Sequence, residues 1–129
     1  MSGSVLLDTN IVIAAFRQER RLTRRLAECP RLFLPSIVLG ELYYGAFNSA
    51  RLQENLARIE NLAPESTVLV CDKQTAEHYG RIRKSLRHKG TPLPDNDVWI
   101  AATAQQHGLT LISRDQHFRE IEGLSLEAW

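Results

Sequence analysis

Four short apolar runs, Val5-Leu6-Leu7, Leu32-Phe33-Leu34, Val68-Leu69-Val70 and Leu109-Thr110-Leu111-Ile112, punctuate a chain whose intervening segments repeat their apolar residues every three or four positions. A strand with one wet face alternates apolar and polar residues. An almost continuous apolar run is what a strand covered on both faces requires, and strands separated by helices pair in parallel. The expectation is an α/β protein of three layers, helices over both faces of a parallel sheet.

The punctuation places the helices. Asp8-Thr9-Asn10 offers capping residues for a helix through about Phe16. Leu22 and Leu26 predict a second helix from Gln18 to Ala27, ended by Pro30. Pro35-Ser36 opens a third through Phe47, with the proline read as a tolerated first-turn residue. Leu52, Leu56, Ile59 and Leu62 share one face of a fourth, Ser49 to Leu62. A basic helix is predicted from Asp72 to Lys89 and another from about Asp95 to His107, stopped by Gly108. Phe118 to Ile121 reads as a turn of helix and Leu124 to Leu126 as a last strand. No repeat or linker divides residues 1–129, and a chain of 129 residues suits one domain.

Other classes are disfavoured by composition. No run approaches the ~20 apolar residues of a membrane span, and Met1-Ser2-Gly3-Ser4 followed by Val5-Leu6-Leu7-Asp8 lacks the basic start and apolar length of a secretion leader, so a cytoplasmic protein is expected. Cys29 and Cys71 match no ligand spacing and read as reduced core thiols. A formal net charge of +1 hides two basic segments: residues 17–31 carry a local +4 and residues 73–89 a local +5. Either they are solvated helix faces or they bind phosphates, with Arg24, Arg25, Arg83 and Arg87 as the candidate contacts.

Sites in open parallel sheets form beyond the carboxyl ends of the strands, where strand order reverses. Asp8 follows the first strand and Asp115 the fourth; Asp97 opens a helix, and Glu41 sits in the most apolar helix, where an ionised carboxylate needs a partner. Taken singly, Asp8 reads as a helix cap, Asp97 as a charge favoured by the helix dipole, Asp115 as a turn residue and Glu41 as a side chain reaching the helix edge. Were the four to converge, like charges ~4 Å apart would cost roughly 4 kcal/mol per pair at an effective dielectric of 20. A divalent cation answers that cost, and oxygen-only ligands suit Mg²⁺ or Mn²⁺.

Asp8-Thr9-Asn10, Glu41-Leu42-Tyr43-Tyr44-Gly45, Asn96-Asp97-Val98-Trp99-Ile100-Ala101-Ala102 and Ser113-Arg114-Asp115 with His117-Phe118, the acids spaced by 33, 56 and 18 positions, resemble the PIN domain and, more narrowly, the VapC toxin ribonucleases of prokaryotic toxin–antitoxin pairs. The resemblance implies a five-stranded parallel sheet of order 3-2-1-4-5 and an acidic metal cluster of Asp8, Glu41, Asp97 and Asp115, with Thr9 and Ser113 as supporting hydroxyls. It further implies Mg²⁺-dependent endoribonuclease activity by metal-activated water, leaving 5′-phosphate and 3′-hydroxyl ends, and homodimerisation. The implied partners are RNA and a VapB-like antitoxin, with DNA reached only through the antitoxin. Asp95 is read as a helix cap or an outer ligand, Asn10 as a helix-start hydrogen bonder, and the four histidines as surface or packing residues. Trp99, Ile100, Phe118 and Tyr44 are read as core. A non-catalytic PIN module binding RNA or protein, and an unrelated α/β phosphohydrolase, stand as the alternatives.

Overall fold

Parallel pairing joins five strands in the computed structural model, which describes residues 4–129. Met1 to Gly3, and with them the start of the leader reading, lie outside the described residues. In chain order the elements are β1 (Ser4–Leu7), α1 (Thr9–Phe16), α2 (Arg20–Ala27), β2 (Arg31–Pro35), α3 (Ser36–Phe47), α4 (Leu52–Leu62), β3 (Thr67–Leu69), α5 (Lys73–Lys89), α6 (Asp95–His107), β4 (Thr110–Ile112) and β5 (Leu126–Glu127). The sheet order is β3-β2-β1-β4-β5, as expected, with helices over both faces. Register sets Leu6 opposite Phe33 on one side and Leu111 on the other.

The continuous apolar runs are explained by burial on two faces. Leu6, Leu34, Leu111 and Ile112 are fully inaccessible to solvent, and Ile11, Val38, Val98, Ile100 and Phe118 pack over them from the helices and the last turn. Each such side chain contributes roughly 1.5–3 kcal/mol on burial. Among the described residues no helix is long and apolar enough to cross a membrane.

Several boundaries differ from the sequence expectation, each for a local reason. Gln18 adopts a left-handed φ of 58°, so α2 starts at Arg20 and not at Gln18. Pro35 ends β2 and is the extended N-cap of α3, outside the helix's first turn. Asn55 donates to the Ser49 hydroxyl at 2.9 Å, and the chain becomes helical only from Leu52. Asp72 is the cap of α5: its carboxylate accepts from the Thr75 N–H at 3.1 Å while the Thr75 hydroxyl accepts from the Asp72 N–H, a reciprocal capping box. β3 runs Thr67–Leu69, leaving Val70 63% exposed at the sheet edge. The last turn is a 3-10 segment, Gln116–Glu120, and β5 is shifted to Leu126–Glu127. Cys29 is half-buried and Cys71 exposed, so neither is the core thiol expected.

Candidate active site

β1 and β4 are neighbours, so the residues that follow them meet. The Asp8 N–H donates to the Ile112 carbonyl at 3.0 Å, which carries the end of β1 onto the end of β4 and sets Asp8 beside Ser113. Asp8 is buried yet fully partnered. One carboxylate oxygen accepts from the Thr9 N–H at 2.8 Å, capping α1; the other accepts from the Ser113 hydroxyl at 2.7 Å and from the Asn10 amide at 3.3 Å. The cap reading and the site reading of Asp8 therefore describe the same carboxylate.

Glu41 lies on the face of α3 that turns toward α1 and α6. Its Oε1 accepts from the Thr9 hydroxyl at 2.5 Å and its Oε2 from the Asn96 amide at 3.3 Å. These bonds are the partners that a carboxylate in an apolar helix requires. Asp97 occupies the first turn of α6, where the helix dipole favours negative charge. Asp115 caps the 3-10 turn, accepting from the His117 N–H at 2.9 Å, and its own N–H donates to the Ser113 hydroxyl at 3.0 Å. Ser113 thus ties the Asp8 carboxylate to the Asp115 backbone through one hydroxyl.

The electrostatics report how closely the acids are grouped. Burial, followed by the charges of Asp8, Asp115 and Glu41, pushes the Asp97 carboxyl up from its usual 3.8 to about 6, with only His117 acting in the opposite direction. Burial also raises Asp8, against the lowering effect of the Ser113 hydroxyl and the Thr9 N–H, and the Glu41 and Asp115 carboxylates add to the rise. The four acids converge on one mouth without closing into a ready ligand sphere: among the described residues no three His, Cys, Asp or Glu side chains stand at metal-holding spacing. Their donor chemistry, oxygen throughout with excess negative charge, fits a hard divalent cation. Arg114 does not neutralise them. It is held by Glu19 at 2.7 and 3.2 Å and by the Trp129 carbonyl at 2.8 Å.

Some site contacts were not read from the sequence. Asn96 orients Glu41; its place beside Asp97 at a helix start is the signal that could have found it. His117, expected as a surface or packing residue, is exposed but sets Nδ1 3.0 Å from Asp115. Asn10 joins the two sheet-end loops, donating weakly to Asp8 and Ser113 and accepting from the Arg114 N–H at 3.3 Å. Asp95 is not a cap: Pro94 holds that position, and the Asp95 carboxylate accepts from the Tyr79 hydroxyl at 2.9 Å and pairs with Arg83, tying α5 to the start of α6. Tyr44, expected in the core, is 71% exposed.

The basic candidates fall into two separate places, Arg83 and Arg87 on α5 and Arg24 and Arg25 on α2. Arg25 stacks on Trp129 at 4.3 Å and pairs with Glu127 at 3.8 Å, and Arg83 is engaged by Asp95. Arg87 lines a cleft of about 590 Å³ with Arg83 and Lys84, while Arg24 is exposed on α2.

A parallel sheet of this order with carboxylates gathered beyond β1 and β4 defines the PIN class, and the PIN domain pattern matches residues 5–124. The chain belongs to the PIN domain family and, within it, to the VapC branch. It is 35% identical over 127 residues to ribonuclease VapC2 of Haemophilus influenzae and equally so to the tRNA(fMet)-specific endonuclease VapC of Salmonella typhimurium, with 96% of each chain covered. Its structure is similar to that of a chain of DNA-bound VapBC from Salmonella typhimurium, with a TM-score of 0.90, 36% identity, and 100% and 99% of the two chains covered.

Proposed function

We propose that this chain, as a single PIN domain over residues 1–129, is an endoribonuclease toxin that hydrolyses RNA phosphodiester bonds and is neutralised by a VapB-like antitoxin. The observation that carries the chemistry is the meeting of four carboxylates from separate segments, Asp8 after β1, Glu41 on α3, Asp97 at the start of α6 and Asp115 after β4, linked through Ser113, Thr9 and Asn96. Asp8, Glu41, Asp97 and Asp115 would hold Mg²⁺, or Mn²⁺ in its place. Such a cation supplies charge that lowers the pKa of water and stabilises negative charge developing on a phosphoryl group. The chain's own residues do the positioning: Ser113 and Asn10 fix Asp8, Thr9 and Asn96 fix Glu41, and the 3-10 turn holds Asp115. Oxygen of four different segments is thereby presented at one mouth. DNA is reached only through the antitoxin, and the protein acts as a cytoplasmic homodimer. Purified protein is expected to cut structured RNA in Mg²⁺, leaving 5′-phosphates, and to lose that activity in excess EDTA. Undiminished cutting in EDTA overturns the metal reading, and cleavage of a small phosphomonoester in place of RNA favours an unrelated phosphohydrolase.

The free arginines are the better phosphate contacts. With the Asp97→Asn variant as a non-cutting binder, Arg24→Ala and Arg87→Ala should each flatten the dependence of log affinity on log salt by ~0.7, the single-strand value per phosphate. Arg25→Ala and Arg83→Ala should change it less, because Glu127 and Asp95 already engage those guanidinia. Slopes for all four variants equal to that of the Asp97→Asn parent would show that the basic helices are solvated faces.

A further inference from the structure

Beside the acids, α3 and the start of α6 enclose a cleft of about 520 Å³, lined by Ser36, Ile37, Gly40, Glu41, Tyr44 and Asn96. Its size falls in the ~300–1,000 Å³ range of small-molecule sites. Its chemistry is divided by wall. Ile37 and the bare backbone of Gly40 make an apolar floor; a methyl group at Gly40 would meet nothing within 4 Å, so the floor is open to an incoming group. Tyr44 stands three residues past Glu41, on the same side of α3, since residues three apart on a helix are neighbours. It is 71% exposed, and among the described residues no hydrogen bond holds its hydroxyl. Glu41 and the Asn96 amide form the remaining wall, and both also belong to the acidic mouth.

We propose that this cleft is a nucleobase subsite: a base next to the scissile phosphate stacks on the Tyr44 ring while the Asn96 amide and the Ser36 hydroxyl meet its polar edge. The inference rests on the ribonuclease reading and deepens it. An apolar floor, one free aromatic face and an amide at the rim match a base, which has a π-face and a hydrogen-bonding edge. A second copy of this chain would instead favour a wall without the acid and amide, because the centres of homodimer interfaces are depleted of charge. The shared Glu41 places whatever enters the cleft within one side chain of the acids, as a nucleotide flanking the cut would be.

The test uses the full chain and unstructured RNA nonamers of mixed sequence, with a matched set carrying abasic sites throughout. Binding is measured on the Asp97→Asn background and oligomeric state by light scattering. Tyr44→Ala should weaken binding of the base-bearing nonamers by about 5- to 150-fold, the range of one base–aromatic stack. Tyr44→Phe and Tyr44→Trp should restore it to within about threefold. Abasic nonamers should bind Tyr44→Ala and the parent equally. Unchanged affinity in Tyr44→Ala, loss that Tyr44→Phe does not restore, or a fall in oligomeric state with unchanged RNA affinity per protomer overturns the subsite; the last identifies the face as an interface between copies. Should the wild-type protein bind and cut no RNA at all, the ribonuclease reading itself fails. Normal RNA cleavage with inert Tyr44 variants removes the subsite alone.

Discussion

Asp97→Asn is expected to lower RNA cleavage by more than about 100-fold and, without divalent cations, to make the protein more stable at neutral pH. Residues that merely orient metal ligands cost 10–100-fold when removed, and a ligand should exceed that. The stability change has the opposite sign because Asp97 is held in an unfavourable charge state. Its carboxyl is raised to about 6 in the folded protein from 3.8, so the folded state binds the proton more tightly than the unfolded chain does. The resulting stabilisation is complete below the unfolded pKa and is lost as pH rises through the folded one. Asp8 is raised as well and acts in the same direction. In EDTA the wild type should therefore lose stability between about pH 4 and pH 6, while Asp97→Asn loses less. At pH 7.5 the variant should be more stable by about 1–2 kcal/mol, discounted from 1.36 kcal/mol per pKa unit because solvent reaches the site. Thermal melts at pH 5 and 7.5, with EDTA and with Mg²⁺, measure this. The gap between variant and wild type should shrink at pH 5, and Mg²⁺ should raise the wild-type Tm more at pH 7.5 than at pH 5, because protons compete for the same oxygens. A variant less stable than wild type at pH 7.5 in EDTA would mean that Asp97 is a favourable helix-start charge and not part of a repulsive cluster.

Phe118→Ala should cost about 3–5 kcal/mol, a large share of the 5–15 kcal/mol that holds a domain folded. Phe118 is fully inaccessible and anchors the 3-10 turn whose cap is Asp115. Its ring joins the core beneath the mouth, so truncation leaves a cavity and loosens the segment that holds Asp115 over Ser113. In urea the midpoint should fall by at least about 1 M, given m values of roughly 1–3 kcal/mol/M for small proteins. Cleavage measured well below the new midpoint should fall too, whereas Phe118→Leu should recover most of both. The neighbouring exposed Arg119→Ala should change stability by less than ~0.5 kcal/mol. A Phe118→Ala protein with wild-type activity and an unshifted midpoint would show that the turn is held by its hydrogen bonds and not by the aromatic anchor.

Much of this molecule was legible in one dimension because its signals are local. Runs such as Val5-Leu6-Leu7 need burial on both faces wherever they lie, and that requirement alone yields a parallel α/β sheet. Asp8 and Asp115 read as sheet-end acids because Asp8 directly follows β1 and Asp115 comes three residues after the end of β4. The sheet order came with the resemblance and not with the strand pattern, since nothing in a strand's own residues names its neighbour. Boundaries slipped where one residue's backbone or one distant contact decided them: Gln18 at positive φ and Pro35 ending a strand.

What sequence alone determined was the class of fold, the family, and four candidate acids: two beyond strands, one at a helix start and one inside an apolar helix. What only the tertiary structure decided was the use of each polar side chain. Arg83 goes to Asp95 and Arg114 to Glu19, and neither neutralises the four acids of the mouth; Asn96 reaches Glu41 across 55 residues; Tyr44 faces solvent although it sits in an apolar helix. The reason is physical: apolar burial follows a period that a sequence displays, whereas hydrogen bonds and ion pairs depend on distances of a few ångströms between segments that only folding brings together.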